Sequence, residues 1–231
     1  MRMGIIAEGR GDLAVIGNIL KGSLGIEYEY VTHLRPEYQQ DETDLATQAE
    51  ESFSNWELVK KECTDYSRIE EFLTSPIDEP RMVIIHIDAA ECELSGYDVS
   101  RPSGERSPES AEELRRRIAI KIDEWLAGRG TERIHYAIAI EESDAWLLTL
   151  FSPQETSKYP SPKETLQRAL NRPNIRSTKE RKRDFQRNTF DRYNEWSKPF
   201  RKTSTLKSAM QRNASLRLFV ESLTKNSAPS K

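Results

Sequence analysis

The sequence has little of what several common classes of protein require. Its 231 residues include two cysteines, Cys63 and Cys92, and no CxxC pair, which argues against a disulfide framework or a zinc site on paired cysteines. No apolar run approaches the roughly 18 residues of a membrane-spanning helix, and the first residues lack the apolar segment of a signal peptide. We therefore expect a reduced, cytoplasmic protein that has no membrane partner.

Several catalytic signatures are missing as well. The sequence contains no HExxH, GxSxG or GxxxxGKS/T pattern, so zinc hydrolysis, serine hydrolysis and P-loop phosphate binding have no support. The three histidines, His33, His86 and His135, are scattered. His86 shares a face of a predicted strand with Asp88, but a single strand histidine is usually structural.

Charged residues, in contrast, are abundant and unevenly distributed. Residues 1–150 contain 16 Lys and Arg against 31 Asp and Glu, a net charge of −15, whereas residues 151–231 contain 19 against 7, a net charge of +12. An acidic part can hold divalent metal, and a basic part can contact nucleic-acid phosphates. Alternatively, the basic segment simply docks on the acidic body. We predict an α/β domain over 1–150 and a basic helical extension over 151–231 that packs on it.

Alternating strand and helix patterns define the predicted fold. Apolar segments at 3–7, 82–87 and 134–140 predict buried strands, and an aromatic, β-branched segment at 28–34 predicts a fourth. Helical spacing follows over 12–21, 52–74 and 111–127, and after residue 160 it predicts only helices, over 163–170, 179–196 and 208–223. The pattern predicts a mostly parallel sheet flanked by helices.

The carboxyl ends of three predicted strands carry acidic residues. These are Glu8 and Asp12 after the first strand, Asp88 and Glu91 after the second, and Glu141, Glu142 and Asp144 after the third. We interpret Asp12 as the N-cap of the following helix. Ligands bind at this edge of open α/β sheets, and converging carboxylates repel each other unless they are protonated or bridged by cations. Oxygen ligands suit Mg²⁺ or Mn²⁺, so the sequence predicts a shared metal site. The alternative is that solvated sheet ends simply favour acids.

The turn after the first strand also fits a different function. Residues 9–14 match the loose GxGxxG/A pattern of dinucleotide-binding proteins. However, Glu8 and Asp12 would place negative charge beside a pyrophosphate. The second strand ends on His33, Leu34 and Arg35 and offers no acid for a ribose. A dinucleotide-binding domain is therefore the lesser alternative.

Basic and aromatic residues alternate in the middle of the predicted extension. We predict nucleic-acid contacts there, with phosphates bound by Arg181, Lys182, Arg183 and Arg187 and bases stacked on Phe185, Phe190 and Tyr193. The alternative is that these aromatic side chains pack on the body of the protein while the charges face water.

Several of these segments resemble Toprim domains. Glu8-Gly9 with Asp12 resembles their EGxx(D/E) opening, and Asp88 after an apolar strand resembles the start of their DxD motif. The same order of motifs occurs in the overcoming-lysogenization-defect nucleases. The segment Asp144–Leu148 resembles the EAWLL signature of a poorly characterised bacterial Toprim-like family, and Trp196–Lys198 and Ser215–Phe219 resemble the segments that follow it there.

The resemblance implies a Toprim-like fold and a metal-dependent endonuclease that cleaves DNA or RNA, in phage defence and with an ATPase partner. It makes Glu8 and Asp12 metal ligands or acid/base groups, Asp88 the central ligand, and Glu142 or Asp144 a ligand of a second metal ion. Lys198 would stabilise charge on the phosphate.

One position departs from the family pattern. Ala90 stands where the DxD motif has its second acid, and Glu91 is adjacent. Either the turn rotates Glu91 inward, or the site has lost a ligand. We therefore expect a Mg²⁺- or Mn²⁺-dependent nuclease, or else a non-catalytic nucleic-acid- or protein-binding module with a relic site.

Overall fold

The computed structural model of the protein describes residues 1–36, 55–76, 79–172, 175, 180 and 187–225. Within these residues, four strands form one parallel sheet: β1 (Arg2–Ile6), β2 (Val31–Arg35), β3 (Arg81–Asp88) and β4 (Ile134–Ala139). Their spatial order is β2-β1-β3-β4. The predicted α/β class, with a parallel sheet flanked by helices, is confirmed and is consistent with a Toprim-like fold.

Helices lie between and after the strands. They are α1 (Arg10–Leu24), α2 (Asn55–Asp65), α3 (Ser67–Thr74), α4 (Pro108–Leu126), α5 (Asp144–Leu148), α6 (Pro162–Leu170), α7 (Thr189–Ser197), α8 (Thr203–Met210) and α9 (Ala214–Lys225). The helix predicted over 52–74 divides at Tyr66, whose φ of 66° interrupts it, into α2 and α3. The helix predicted over 208–223 divides into α8 and α9. None of the described helices is long and apolar enough to cross a membrane.

Alternation along the strands gives the sheet two apolar faces. In β1, Met3 and Ile5 point to one face and Ile6 points to the other. The first face packs on α1 and on apolar residues of α6, α8 and α9, and the second packs on α2, α3 and α4. Continuous apolar runs such as 82–87 are explained by this double burial, because both faces of a central parallel strand are covered.

The start of α1 differs from the prediction in one detail. The N-cap is Gly9, and Asp12 is the third residue of the helix. Asp12 Oδ2 accepts the Gly9 N–H at 3.0 Å, so the carboxylate closes the first turn from inside. The helix ends at Gly25, whose φ of 71° is favourable for glycine.

The connections place a topological switch point between β1 and β3. The chain leaves β1 through α1 and returns as β2 on one side of β1, whereas α2 and α3 precede β3 on the other side. Connections leave in opposite directions there, which opens a crevice outside the carboxyl ends of the two strands. Glu8 and Asp88 lie at these two ends.

The C-terminal helices pack on the same face as α1. Helix α7 contacts α1, and α9 contacts β4. Trp146 of α5 stacks on Phe219 of α9 at 5.7 Å between ring centroids, and its Nε1–H donates to Ser215 Oγ at 2.8 Å. The DAWLL and SLRLF segments of the sequence are therefore in direct contact. The described part of 151–231 shares the apolar cluster of α1.

Candidate functional site

A pocket of about 400 Å³ lies at the switch point. Six of the seven acids at the predicted strand ends line it: Glu8, Asp12, Asp88, Glu91, Glu142 and Asp144. The seventh, Glu141, does not, and bonds Arg101 and Arg106 instead. The six come from the ends of β1, β3 and β4, so the parallel sheet brings together side chains that are up to 136 residues apart in the chain.

Glu8 connects the ends of β1 and β3. Its Oε1 accepts the backbone N–H of Asp88 at 2.7 Å. Burial raises the pKa of Glu8 to about 8, and repulsion from Asp12 and Glu91 adds to the shift, while the Asp88 N–H and the Arg35 charge oppose it. Near neutral pH, therefore, Glu8 in the cation-free protein holds a proton.

Asp88 and Asp12 are joined by Ser143. The Ser143 N–H donates to Asp88 Oδ1 at 3.1 Å, and its hydroxyl donates to Asp12 Oδ1 at 2.5 Å. Burial raises the pKa of Asp88 well above its usual value, and the nearby carboxylates of Asp12 and Glu8 raise it further. Ser143 was missed by the sequence reasoning, which considered only acids at this strand end.

Asp144 is the first residue of α5 and is buried. The Tyr193 hydroxyl of α7 donates to its Oδ1 at 3.0 Å. Burial raises the pKa of Asp144 to about 7, and the Tyr193 hydrogen bond opposes that rise. Tyr193, predicted to stack bases, instead forms a wall of the pocket and packs against Gly11, where a Cβ would lie 3.0 Å from its ring.

The pocket acids have few protein partners. Within the described ranges, none of the six forms an ion pair with Lys or Arg. The second carboxylate oxygens of Glu8, Asp88 and Asp144 accept no hydrogen bond from these residues either. Arg10 and Lys163 line the pocket, and the Lys163 charge lowers the pKa of Asp144.

His86 lies beneath the pocket and is fully buried. Its Nδ1 is 3.9 Å from Asp12 Oδ2 and its Nε2 is 3.5 Å from Asp88 Oδ1, and neither nitrogen has a hydrogen-bond partner among the described residues. Burial lowers the pKa of His86, which favours the neutral ring, so this side chain offers Asp12 and Asp88 no positive counter-charge. The period of two between His86 and Asp88 was the sequence signal for this proximity.

The structure does not bring Lys198 to the pocket. Lys198 is exposed and begins a 3-10 turn, Lys198–Arg201, that packs beside Gly22 near the end of α1. Gly11, which lies at the pocket, is about 16 Å from Gly22 along the axis of α1, at 1.5 Å per helical residue. Ser197, the residue before Lys198, is buried, and its hydroxyl accepts a hydrogen bond from Asn18, whereas Lys198 lies in solvent.

Only part of the predicted nucleic-acid segment can be placed. Arg181, Lys182, Arg183 and Phe185 lie outside the described residues. Arg187 does not line the pocket. Phe190 packs on the body of the protein, with its ring centroid 5.9 Å from those of Tyr28 and His33, which is the alternative interpretation for this aromatic residue.

Comparisons add no relative. No protein-family model, curated protein or solved structure matches the chain. What the site can do is therefore argued from its own geometry.

The carboxylate oxygens of the pocket are donors of the kind that a hard cation binds, but they do not form a complete ligand set. Carboxylate oxygens are the donors that Mg²⁺ and Mn²⁺ prefer. Within the described ranges, however, no three His, Cys, Asp or Glu side chains are grouped so that they could hold a metal ion. Ala90 lines the pocket without a ligand atom, and Glu91 beside it is exposed. The donors share a pocket and stand apart within it.

The same geometry disfavours a dinucleotide. The Gly9 N–H, which a pyrophosphate would need, donates to Asp12, and the pocket wall beside it carries Glu8. At the end of β2, Arg35 Nη1 donates to the Ala7 carbonyl oxygen at 2.6 Å.

Proposed function

We propose that the protein is a Mg²⁺- or Mn²⁺-dependent nuclease that cleaves phosphodiester bonds of DNA or RNA. The proposal rests on the convergence of buried and half-buried carboxylates from three strand ends without a Lys or Arg ion pair in the described structure. Such carboxylates must either hold protons or receive counter-charge from bound cations. Nucleic-acid cleavage is the chemistry that the Toprim resemblance of these residues adds.

Glu8, Asp12, Asp88 and Asp144 would hold the cations. Three of them keep an oxygen that accepts no hydrogen bond from the described residues. Bound divalent cations would neutralise the pocket and supply Lewis acidity for hydrolysis of a phosphodiester. Because the ligand set is open, Glu142 and Glu91, the more exposed acids, would turn inward on binding. If Glu8 instead stays outside the ligand set, its raised pKa would suit it to exchange a proton with the reacting groups.

Lys163 and Arg10 would contact the substrate phosphate in place of Lys198. Both line the pocket, and both face acids with which they form no ion pair in the described structure. A polyanion approaching six acids needs positive charge at the entrance. Phage defence and an ATPase partner belong to this proposal only through the sequence resemblance, and a cytoplasmic location only through the low cysteine content.

A non-catalytic binding module is the second candidate. Two observations favour it: Ala90 at the second position of the DxD motif, and the absence of a grouped ligand triad in the described ranges. Such a module would bind nucleic acid or a protein and cleave nothing.

Cleavage assays separate the two. The parent, Asp88→Asn and the control Glu105→Gln, an exposed acid of the loop before α4, are incubated with plasmid, single-stranded DNA and tRNA. The nuclease proposal predicts Mn²⁺-dependent cleavage by parent and control, none with EDTA, and at least 100-fold less by Asp88→Asn. Cleavage that persists in EDTA contradicts the metal mechanism. Binding without cleavage of any of the three supports the module.

A further inference from the structure

A cluster of two arginines and a glutamate lies behind the pocket. Glu141, two residues after the end of β4, has a backbone φ of 64°, which non-glycine residues rarely adopt. Its buried carboxylate accepts hydrogen bonds from Arg101 through both Nη atoms and from Arg106 Nη1 at 2.7 Å. Both arginines belong to the long polar loop before α4, and the proposed function assigns neither of them a task.

Arg101 joins the ends of two strands. Besides Glu141, its Nη2 donates to the carbonyl oxygens of Ala89 at 2.9 Å and Ala90 at 3.3 Å, just beyond β3. One guanidinium therefore bonds the chain that follows Asp88 and the chain that follows β4. A planar fork with several donors can do this, whereas a lysine ammonium cannot reproduce the geometry.

The turn held at Glu141 determines where residues 142–144 lie. Immediately after it, Ser143 donates hydrogen bonds to Asp88 and Asp12, and Asp144 accepts one from Tyr193. A left-handed residue persists where the surrounding structure holds it. Here Arg101 and Arg106 hold the Glu141 carboxylate, and the Ala90 N–H donates to the Glu141 carbonyl oxygen at 3.0 Å. The acids after β4 reach the pocket through this turn.

We propose that Arg101, acting through Glu141, is a positioning residue that holds residues 142–144 against Asp88. Under the proposed function, on which this consequence rests, it also sets the affinity of the pocket for divalent cations. The role of Arg101 in holding residues 142–144 against Asp88 does not depend on that function.

Arg101→Lys is the test, with Arg116→Lys as matched control, because Arg116 is an exposed arginine of α4 that pairs with Glu113. Hydrogen–deuterium exchange in EDTA reports on the turn, and Mn²⁺ affinity by electron paramagnetic resonance reports on the pocket. We expect faster exchange confined to peptides covering the two segments that Arg101 bonds, 89–90 and 141–147, and about 10-fold weaker Mn²⁺ binding, since losing a partner that orients a ligand has an effect of this size. The control should match the parent in both.

Other outcomes would contradict either the positioning role of Arg101 or the proposed function. Unchanged exchange at 141–147 would show that Arg101 does not hold the turn, and exchange that rises equally along the whole chain would show that it only stabilises the fold. A parent that binds no Mn²⁺, with exchange still faster at 141–147 in Arg101→Lys, would overturn the proposed function and leave the positioning role intact. If Arg101→Lys does not fold, Glu141→Gln replaces it, with the same expectations.

Discussion

Asp88 shows at the scale of a single residue what the pocket costs the protein. Its side chain is 21% exposed, it accepts a hydrogen bond from Ser143, and it faces Asp12 and Glu8. Without cations, these surroundings favour the protonated form, and any ionised carboxylate there is repelled by its neighbours. A residue that lowers stability in this way is typical of functional sites.

Replacing Asp88 by asparagine should therefore stabilise the cation-free protein. Asparagine has the same shape, can accept the Ser143 N–H and carries no charge. In EDTA at pH 8 we expect Asp88→Asn to raise the free energy of unfolding, because burial and the neighbouring carboxylates of Asp12 and Glu8 disfavour the charged form of Asp88. Urea denaturation measures it, with Glu105→Gln as control. A less stable Asp88→Asn would show that the charge is compensated in the folded protein.

Tyr193→Phe tests the hydrogen bond between α7 and Asp144. The bond lowers the pKa of Asp144, so its removal should raise that pKa further above 7. Cation binding requires the ionised acid, so Mn²⁺ affinity should fall more at pH 6.5 than at pH 8 relative to the parent. An equal loss at both pH values would mean that Tyr193 contributes packing alone.

At the scale of elements, α1 is the support of both the pocket and the C-terminal helices. Its first turn carries Asp12, and its last turns pack against the 3-10 turn Lys198–Arg201. At Gly22 the two backbones approach so closely that a Cβ would lie 1.9 Å from the Phe200 carbonyl oxygen. A glycine is required there by contact with another segment, although it weakens the helix.

Gly22→Ala should destabilise the protein despite a better helix former. Alanine favours a helix interior by about 1 kcal/mol over glycine. The steric overlap should outweigh this gain, and we expect a net loss of about 1–3 kcal/mol. Urea denaturation measures this loss of stability, with Ser23→Ala, a substitution at the next residue of the helix, as control. A Gly22→Ala variant as stable as the parent would show that the 3-10 turn shifts freely on α1.

The elements that could be predicted from the sequence are those with strong local patterns. The continuous apolar run of β3 and the acids at three strand ends were sufficient to predict the parallel sheet and the six acids that line the pocket. Ser143, Tyr193 and Lys163 reach the pocket through tertiary packing, which no local pattern signals. Lys198 was chosen by resemblance, and its placement depends on how Ser197 packs on α1.

At the scale of the whole molecule, the acidic and basic parts of the chain are not simply paired. Arg217 of α9 does bond Glu112 of α4 across the divide at residue 150. The six acids of the pocket have no such ion pair among the described residues. The excess negative charge of the first part is therefore concentrated, in part, where the site lies.

This concentration predicts how stability depends on pH. Glu8 and Asp144 have folded pKa values of about 8 and 7 against 4.5 and 3.8 for the ordinary groups, and that of Asp88 is raised as well. Between pH 7 and 9 the folded state binds more protons than the unfolded state, so stability falls as pH rises. The histidines, with lowered pKa values, act in the opposite direction only below about pH 6.5.

We expect the Tm in EDTA to fall by several degrees from pH 7 to pH 9, since one pKa unit is worth about 1.4 kcal/mol, or about 3–6 °C for a chain of this size. Glu8→Gln should flatten the decline, and Mg²⁺ should reduce it by supplying counter-charge. Calorimetry at four pH values measures it. A Tm that rises over this range would contradict the account of the pocket acids.

The central claim is that the pocket at the switch point binds divalent cations through its carboxylates. The most direct test is to titrate the parent, Asp88→Asn and the exposed control Glu105→Gln with Mn²⁺ at pH 7.5. Electron paramagnetic resonance measures the bound Mn²⁺. If the carboxylates bind the cation, the parent and the control bind Mn²⁺ saturably and Asp88→Asn binds it at least 10-fold more weakly. No saturable binding by the parent, or equal binding by the parent and Asp88→Asn, would contradict it.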